Sequence, residues 1–328
     1  MKILKKRINM KIDELLPGVK TVAISGHVRP DGDCIGSCMG MYLYITKNYP
    51  DIRVDVFLED VPPELQFIKD SDKINTSFET DVDSYDLFIC LDCEKTRLGA
   101  SEKIFDAAKK TLNIDHHISN TGTGDITYIV PTASSACELV FDCVDEEKLD
   151  IEAAKSIYTG MVTDTGVFKY NSTSPKTLQV AAKLIGFGFD FTSLIDHVFY
   201  EKTYLQNQIL GRALLESILL LDGRVCVSVV SRQTMEFYNC TGNDLDGIVN
   251  QLMFTIGVDC AIFMYENEPM SYKVSLRSNG AVNVSKVAQL FGGGGHVRAS
   301  GCTINGTAHD AINNLTKYIH MQLEGEEV

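Results

Sequence analysis

No run of about 18 consecutive apolar residues occurs in the 328-residue chain, which removes a membrane-spanning helix. The start, Met1 to Lys11, is basic, but no apolar stretch of about 7–15 residues follows it, so a secretory signal is not expected either. Both absences suit a cytoplasmic protein. A second C-x-x-C pair is also missing. The ten cysteines are scattered through apolar segments such as Leu87–Cys93 and Val225–Val230, where a free thiol behaves as a small hydrophobe, so reduced cysteines are expected. Cys90-Leu91-Asp92-Cys93 does spell C-x-x-C, yet an apparent strand there should turn the two thiols to opposite faces, which argues against zinc or redox use.

Positive charge is short as well, with 30 Lys and Arg against 44 Asp and Glu and a net charge of −14. Sequence-independent binding of long duplex DNA relies on Lys and Arg against phosphates, and this surface as a whole repels a polyanion. A short or mononucleotide substrate needs only a local basic cluster and metal ions. Neither a Gly/Ser linker nor a fixed-period repeat is present, so any connection between domains is expected to be structured.

What is present is 45% hydrophobic content, enough over this length for two globular domains. Thr21–Ser25, Arg53–Leu58, Asp86–Leu91 and Thr111–Ile114 read as strands, and Cys34–Lys47, Ser135–Val144 and Ile151–Val162 as helices. That alternation predicts an α/β fold with a mainly parallel sheet flanked by helices over residues 1–199. Pro175–Gly188 and Tyr200–Leu221 look helical, the second forming a helical linker over 200–221. A smaller α/β domain over 222–328 follows, with strands at Arg224–Val230, Ala261–Tyr265 and Tyr272–Leu276 and helices near Leu245–Phe254 and Val284–Phe291.

Chemistry-bearing residues fall just beyond the strands of the first domain, where open parallel sheets bind ligands. His27-Val28-Arg29-Pro30-Asp31-Gly32-Asp33 places an imidazole and two carboxylates on a turn, although Pro, Asp and Gly also make ordinary polar loops. Asp92 ends an apolar strand, where an acid can equally cap the next turn. Asp115-His116-His117 sets three metal-competent side chains in a row, more than packing requires. Asp164, in Thr163-Asp164-Thr165-Gly166, adds a carboxylate at a helix end and alone reads as a cap. Taken together, His27, Asp31, Asp33, Asp92, His116 and Asp164 suit a pair of octahedral divalent cations, Mn²⁺ before Mg²⁺. Such a pair serves in-line phosphoryl displacement. In the second domain, Gly292-Gly293-Gly294-Gly295-His296-Val297-Arg298 follows a helix, so Gly292 can serve as its cap. Four glycines exceed that need, and their amides beside His296 and Arg298 can cradle a phosphate, with Arg277 as a further guanidinium.

His27-x-x-Pro30-Asp31-x-Asp33-x-x-Gly36-Ser37, then Asp92, Asp115-His116-His117, Thr163-Asp164-Thr165-Gly166 and the Gly-rich His296 segment together resemble the DHH/DHHA1 phosphoesterases, over about residues 20–306. Size makes the chain look most like the bacterial nano-RNase type, which acts on short oligoribonucleotides and on 3′-phosphoadenosine-5′-phosphate. The resemblance implies that His27, Asp31 and Asp92 hold one Mn²⁺ and that Asp33, Asp92, His116 and Asp164 hold the other. It implies that His117 acts on the scissile phosphate or leaving oxygen while Asp115 orients the neighbouring histidines. Arg277, Gly293, Gly294, Gly295, His296 and Arg298 would bind substrate. Ser300 stands where the family more often has Ala. A phosphodiesterase of signalling dinucleotides and a non-catalytic nucleotide sensor are the rival readings. Oligomeric state is left open, a homodimer being one candidate.

Overall fold

The computed structural model describes residues 10–326, so the basic start of the chain lies largely outside them. Two units are distinguished, Met1–Glu201 and Lys202–Val328. The first contains strand β1 (Thr21–Ser25), helix α1 (Gly32–Asn48), β2 (Arg53–Phe57), β3 (Leu87–Leu91), α2 (Glu102–Ala107), β4 (Thr111–Asp115) and β5 (Ile126–Ile129). Helices α3 (Ala136–Cys143), α4 (Ile151–Asp164), α5 (Pro175–Ile185) and α6 (Phe191–Ile195) follow.

The five strands form one parallel sheet in the order β2-β1-β3-β4-β5. A parallel sheet is covered on both faces, which is why β3 is apolar throughout rather than alternating. Leu87, Ile89 and Leu91 enter the larger core with α1, α3 and α4, while Phe88 and Cys90 face a smaller one with Phe57, Tyr85 and Phe105. Strand β5 escaped the sequence reading because it is an edge strand whose residues are all only half-buried. Helices α1 and α4 approach closely because glycines line their contact. A Cβ on Gly36 would stand 2.8 Å from Ser156 O, and one on Gly32 would overlap the Thr163 side chain. This approach carries the start of α1 to the end of α4.

The second unit runs α7 (Tyr204–Leu215), β6 (Ile218–Leu220), β7 (Val225–Val230), α8 (Arg232–Tyr238), α9 (Ile248–Met253), β8 (Cys260–Glu268), β9 (Ser271–Ser278), α10 (Val284–Gln289), β10 (Gly294–His296), β11 (Ala299–Asn305) and α11 (Ala308–Leu323). Its six strands lie in the order β10-β11-β9-β8-β7-β6, with only β7 and β8 parallel. The stretch read as one helix over Tyr200–Leu221 is instead α7 followed by β6. Positive φ at Leu221, Asp222 and Gly223 turns the chain back into β7. Ile209 and Ala213 of α7 belong to a core of this unit. Likewise the helix expected over Leu245–Phe254 is interrupted by Gly247, whose φ of +84° starts α9 afresh. No helix among the described residues is long and apolar enough to cross a membrane.

Candidate metal centre

In the sheet order, β1 neighbours β2 on one side and β3 on the other, so the connections diverge between β1 and β3. Crevices at such a switch point, beyond the carboxyl ends of the strands, are where open α/β sheets take their ligands. His27 follows β1 and Asp92 follows β3, and His27 Nε2 stands 3.3 Å from Asp92 Oδ2. Asp92 adopts a left-handed backbone with φ 58°, an uncommon conformation for a residue other than glycine. That turn ends β3 abruptly. It also corrects the expectation for the C-x-x-C: because the strand stops at Leu91, the Cys90 and Cys93 sulfurs do not point apart but lie 3.7 Å from each other.

The imidazole of His27 is 5% exposed, and its Nδ1 bonds the Val28 carbonyl at 2.9 Å. With Nδ1–H donating there, Nε2 is free to face Asp92 and, at 3.6 Å, Asp31. Metal-binding histidines are held in this way, one ring nitrogen fixed by an acceptor and the other presented. Asp31 is the N-cap of α1, its Oδ1 accepting from the amides of Asp33 and Cys34. Asp33, in the first turn of α1, is buried and accepts from the amides of Ala136 at 2.6 Å and Cys137 at 2.9 Å at the start of α3. Each of its oxygens therefore retains a free lone pair.

The third contribution comes from β4. His116 Nε2 lies 3.4 Å from Asp92 Oδ1, 3.7 Å from Asp33 Oδ2 and 3.7 Å from Asp164 Oδ2 at the end of α4. Donors held at about 2.1 Å from one octahedral cation stand about 3.0 Å apart when adjacent and about 4.2 Å when opposite. These separations fall between those limits. Asp92 is 2% exposed, and its Oδ1 accepts no hydrogen bond among the described residues. An orphaned, buried carboxylate oxygen is costly unless something pairs with it. The nitrogen and carboxylate donors around it fit a divalent cation: Asp33, His116 and Asp164 could hold one, and His27, with Asp31 and the other Asp92 oxygen beside its Nε2, could hold another.

Electrostatics show how crowded this negative charge is. Burial, then the neighbouring Asp92 and Asp164, push the Asp33 carboxyl well above the ordinary carboxylate range. Burial and the charges of Asp92 and Asp31 bring Asp164 up to about 6. Burial alone would lower the histidines. The Asp31 and Asp92 carboxylates overcome it at His27, pushed up to about 12, and Asp92, Asp33 and Asp164 do the same at His116, pushed up to about 10. Without cations, protons take their place.

Asp115, whose carboxylate lies within 4.8 Å of ligand atoms of Asp92, His116 and His117, organises this cage. Fully buried, it accepts through Oδ1 from the amides of His116 and His117 and bonds His117 Nδ1 at 2.8 Å. Its Oδ2 accepts from Asn120 at 2.6 Å. Asn120 also donates to Asn113, whose own amide reaches the carbonyls of Cys90 and Cys93. These two asparagines were not singled out in the sequence. The available signal was a polar residue at the centre of the apolar strand Thr111–Asp115.

In the second unit, His296, Ala299, Arg277 and Ala261 are directly opposed across β10, β11, β9 and β8. Directly opposed residues share a face, so His296 and Arg277 flank the small Ala299. Arg277 Nε also donates to Asn250. Arg298 occupies the exposed turn between β10 and β11, its guanidinium lying over Gly280. The glycine run has a steric cause: a Cβ on Gly293 would overlap Gly301 O, and one on Gly295 would stand 2.5 Å from Ala299 O. Gly294 has open space around it. Ser300 points to the opposite face and donates to Val284 O at 2.7 Å, which gives its hydroxyl a structural role.

Residues 21–161 match the DHH family, N-terminal domain, and residues 222–325 match the DHHA1 domain. The chain is 28% identical over 291 residues to the bifunctional oligoribonuclease and PAP phosphatase NrnA of Bacillus subtilis, covering 87% of this chain and 89% of that protein. It is 28% identical over 300 residues to the Thermus thermophilus protein of the same name, covering 90% and 88%. Among solved structures, an exopolyphosphatase-related protein from Bacteroides fragilis superposes with a TM-score of 0.83 at 27% identity, over 94% of this chain and 96% of that one. With a parallel-sheet half that gathers His and Asp at its strand ends and a following half of the DHHA1 type, the chain belongs to the DHH/DHHA1 family of phosphoesterases.

Proposed function

We propose that the protein is a Mn²⁺-dependent phosphoesterase that hydrolyses short oligoribonucleotides to mononucleotides and 3′-phosphoadenosine-5′-phosphate to AMP. The observation that carries this reading is the unpartnered Oδ1 of the buried Asp92 facing His116, which is grouped with Asp33 and Asp164, while His27 meets the other Asp92 oxygen. The activities named for the Bacillus subtilis and Thermus thermophilus relatives supply the substrate class. In this reading His27, Asp31 and Asp92 form one cation position, and Asp33, Asp92, His116 and Asp164 the other. Divalent cations held there supply charge neutralisation at the scissile phosphate and make water nucleophilic at neutral pH.

The protein's own part is positioning and proton handling. Asp115 fixes the His117 ring through Nδ1, which leaves Nε2 to donate to a phosphate or leaving-group oxygen. Asp115 also raises the His117 pKa by accepting from it, favouring the donor form. Arg277, His296, Arg298 and the amides of Gly293, Gly294 and Gly295 are proposed to bind substrate, and the acidic balance of the chain disfavours long duplex nucleic acid. A cytoplasmic setting is part of the proposal.

Purified protein with Mn²⁺ tests it, offered RNAs of about two to ten nucleotides, pApA, cyclic di-AMP and 3′-phosphoadenosine-5′-phosphate side by side, with kcat/KM ranking them. Short RNA and the nucleoside bisphosphate should lead. Cyclic di-AMP cleaved much faster than dinucleotides would overturn the substrate assignment, and absence of any turnover would favour a nucleotide sensor.

A further inference from the structure

Four carboxylates are buried among the described residues, and three of them, Asp33, Asp92 and Asp115, serve the candidate metal centre. The fourth is Glu138, 2% exposed in the first turn of α3, where a buried charge needs partners. Its Oε2 accepts from the hydroxyls of Ser134 and Thr177, both at 2.7 Å, and from the Ser134 amide at 3.4 Å. Ser134 and Thr177 are fully buried. Glu138 Oε1 stands 3.3 Å from Lys176 Nζ, whose side chain is half exposed and also pairs with Asp142.

These bonds fix the entry to α3. Ser134 precedes the N-cap Ser135, whose side chain accepts from the Glu138 amide at 3.1 Å. The segment from Ser134 to Glu138 is thus closed by side-chain bonds in both directions. Between its ends lie Ala136 and Cys137, and their amides are the two donors to the Asp33 carboxylate. The first amides of a helix have no partner inside it, so where they point depends on how the entering turn is held. Gly160 leaves room for the contact, since a Cβ there would overlap Cys137 Sγ and stand 3.0 Å from Asp33 Oδ1.

We propose that Glu138 is a positioning residue for the cation position of Asp33, His116 and Asp164, acting as the hydrogen-bond acceptor that aims the Ala136 and Cys137 amides at Asp33. The inference rests on the metal-centre reading and adds a support to one of its two positions. The other position is held without α3: Asp31 accepts from the amides of Asp33 and Cys34, and His27 Nδ1 bonds the Val28 carbonyl. Accepting matters more than charge here. Two short bonds from buried hydroxyls converge on Oε2, whereas the Lys176 pair is longer and half exposed. Glu138→Gln keeps an acceptor oxygen, and Lys176 then keeps Asp142. Glu138→Ala removes the acceptor altogether.

Amide hydrogen exchange of the metal-free full-length protein reads the positioning itself. In Glu138→Ala the Ala136 and Cys137 amides should exchange at least about 10-fold faster, and in Glu138→Gln within about threefold of the wild type, with β3 and β4 protected as before. Mn²⁺ titration followed by electron paramagnetic resonance reads the consequence. Added to His27→Ala, which leaves the Asp33 position, Glu138→Ala should weaken Mn²⁺ binding about 10- to 100-fold, the usual loss when a group supporting a ligand is removed. Added to His116→Ala, which leaves the His27 position, it should change binding by less than about threefold. Should Glu138→Ala fail to fold, Ser134→Ala removes one donor, keeps the carboxylate and should act on the same two amides and the same position. Unchanged exchange at Ala136 and Cys137, or equal weakening of Mn²⁺ in the two backgrounds, overturns the role of Glu138 alone. Glu138→Gln behaving as Glu138→Ala overturns the acceptor assignment. A wild type that binds no Mn²⁺ overturns the metal centre on which the proposal rests.

Discussion

His116 Nε2 stands 3.4 Å from Asp92 Oδ1, a buried oxygen that accepts no hydrogen bond among the described residues. The contact is too long for a good hydrogen bond and suits two ligands of one cation. Because Asp92 faces both candidate positions, Asp92→Asn should weaken both. The stabilisation that saturating Mn²⁺ gives the wild type, as any ligand confined to the native state must, should fall to a small fraction in the variant. Turnover of pApA should drop by more than about 100-fold, since even groups that only support a ligand reach that loss. Thermal melts with and without Mn²⁺ check this, and an unchanged metal-induced shift would count against Asp92 as the shared ligand.

The protonation of the metal-free cage predicts a particular pH dependence. His27 and His116 are raised to about 12 and about 10, and Asp164 to about 6. A group raised on folding contributes stability that is present below its unfolded pKa and is lost as pH rises through the folded value. From the ordinary histidine value of about 6.5 up to about 10, the metal-free native state thus holds protons that the unfolded chain lacks. Asp31 and Asp115 are lowered and act in the opposite sense, but their contribution is lost only on acidification. Metal-free protein should therefore melt progressively lower from about pH 6.5 to pH 9, and the increment gained with Mn²⁺ should grow over the same range as cations replace protons. Melts at three pH values decide it, and a metal increment that shrinks with pH contradicts the assignment.

His117 should separate from the cage in its effects. Its Nδ1 is held by Asp115 and its ring is 40% exposed, so it is available to substrate. His117→Ala should lower kcat by about 10²–10⁴-fold, the usual range for a positioned acid or base, while leaving the Mn²⁺-induced shift in Tm nearly intact. Asp115→Asn removes the acceptor for His117 Nδ1 and disturbs the turn that also carries His116, so it should affect both readouts. If His117→Ala abolishes the metal shift, the histidine is a ligand instead.

How far the sequence disclosed this arrangement varied with the range of the interactions. Thr21–Ser25 and Leu87–Leu91 could be read directly because each is a short apolar run stopped by a chemically distinctive residue, and the side of the sheet then followed from parallel topology. The contact of Gly160 with Asp33 and Cys137 could not, because a glycine inside a helix carries no sign of which distant side chain needs its space. Cys90 and Cys93 were misread for a local reason. Period-2 alternation holds only while the strand lasts, and the positive φ of Asp92 ends it one residue after Leu91. Strand β11 and helix α11 lacked comparably sharp boundaries in the sequence, and β10 was concealed within glycines that read as a turn.

That glycine run can be divided experimentally. A Cβ at Gly293 would overlap the Gly301 carbonyl, whereas one at Gly294 meets nothing within 4 Å. Gly293→Ala should destabilise by about 1–3 kcal/mol, the range for overpacking a filled site. Gly294→Ala should change stability by less than about 0.5 kcal/mol. Denaturant melts measure both. If Gly294→Ala remains stable yet raises KM for short RNA, a binding role for this segment is supported; equal destabilisation at the two positions would mean β10 is packed differently.

Arg298 offers the sharpest test of substrate recognition by the second unit. Its guanidinium lies over Gly280 in an exposed turn, and the β10–β11–β9 row presents His296 and Arg277 across the adjoining strands. A hydrogen bond to a charged group contributes about 1.5–3 kcal/mol, equivalent to about 10- to 100-fold in kcat/KM. Arg298→Ala should lose that much on a dinucleotide, because the group it would bind is remote from the bond being cleaved and its binding energy is used to position the reacting phosphate. A small aryl phosphate ester has no such remote group and should be hydrolysed within about threefold of the wild-type rate, since the cage of His and Asp side chains is untouched. Steady-state kinetics on the two substrates, run at the same Mn²⁺ and ionic strength, distinguish this from a general loss of activity. Equal losses on both would show that Arg298 supports the fold or the chemistry, and the role assigned to it in substrate recognition would be wrong.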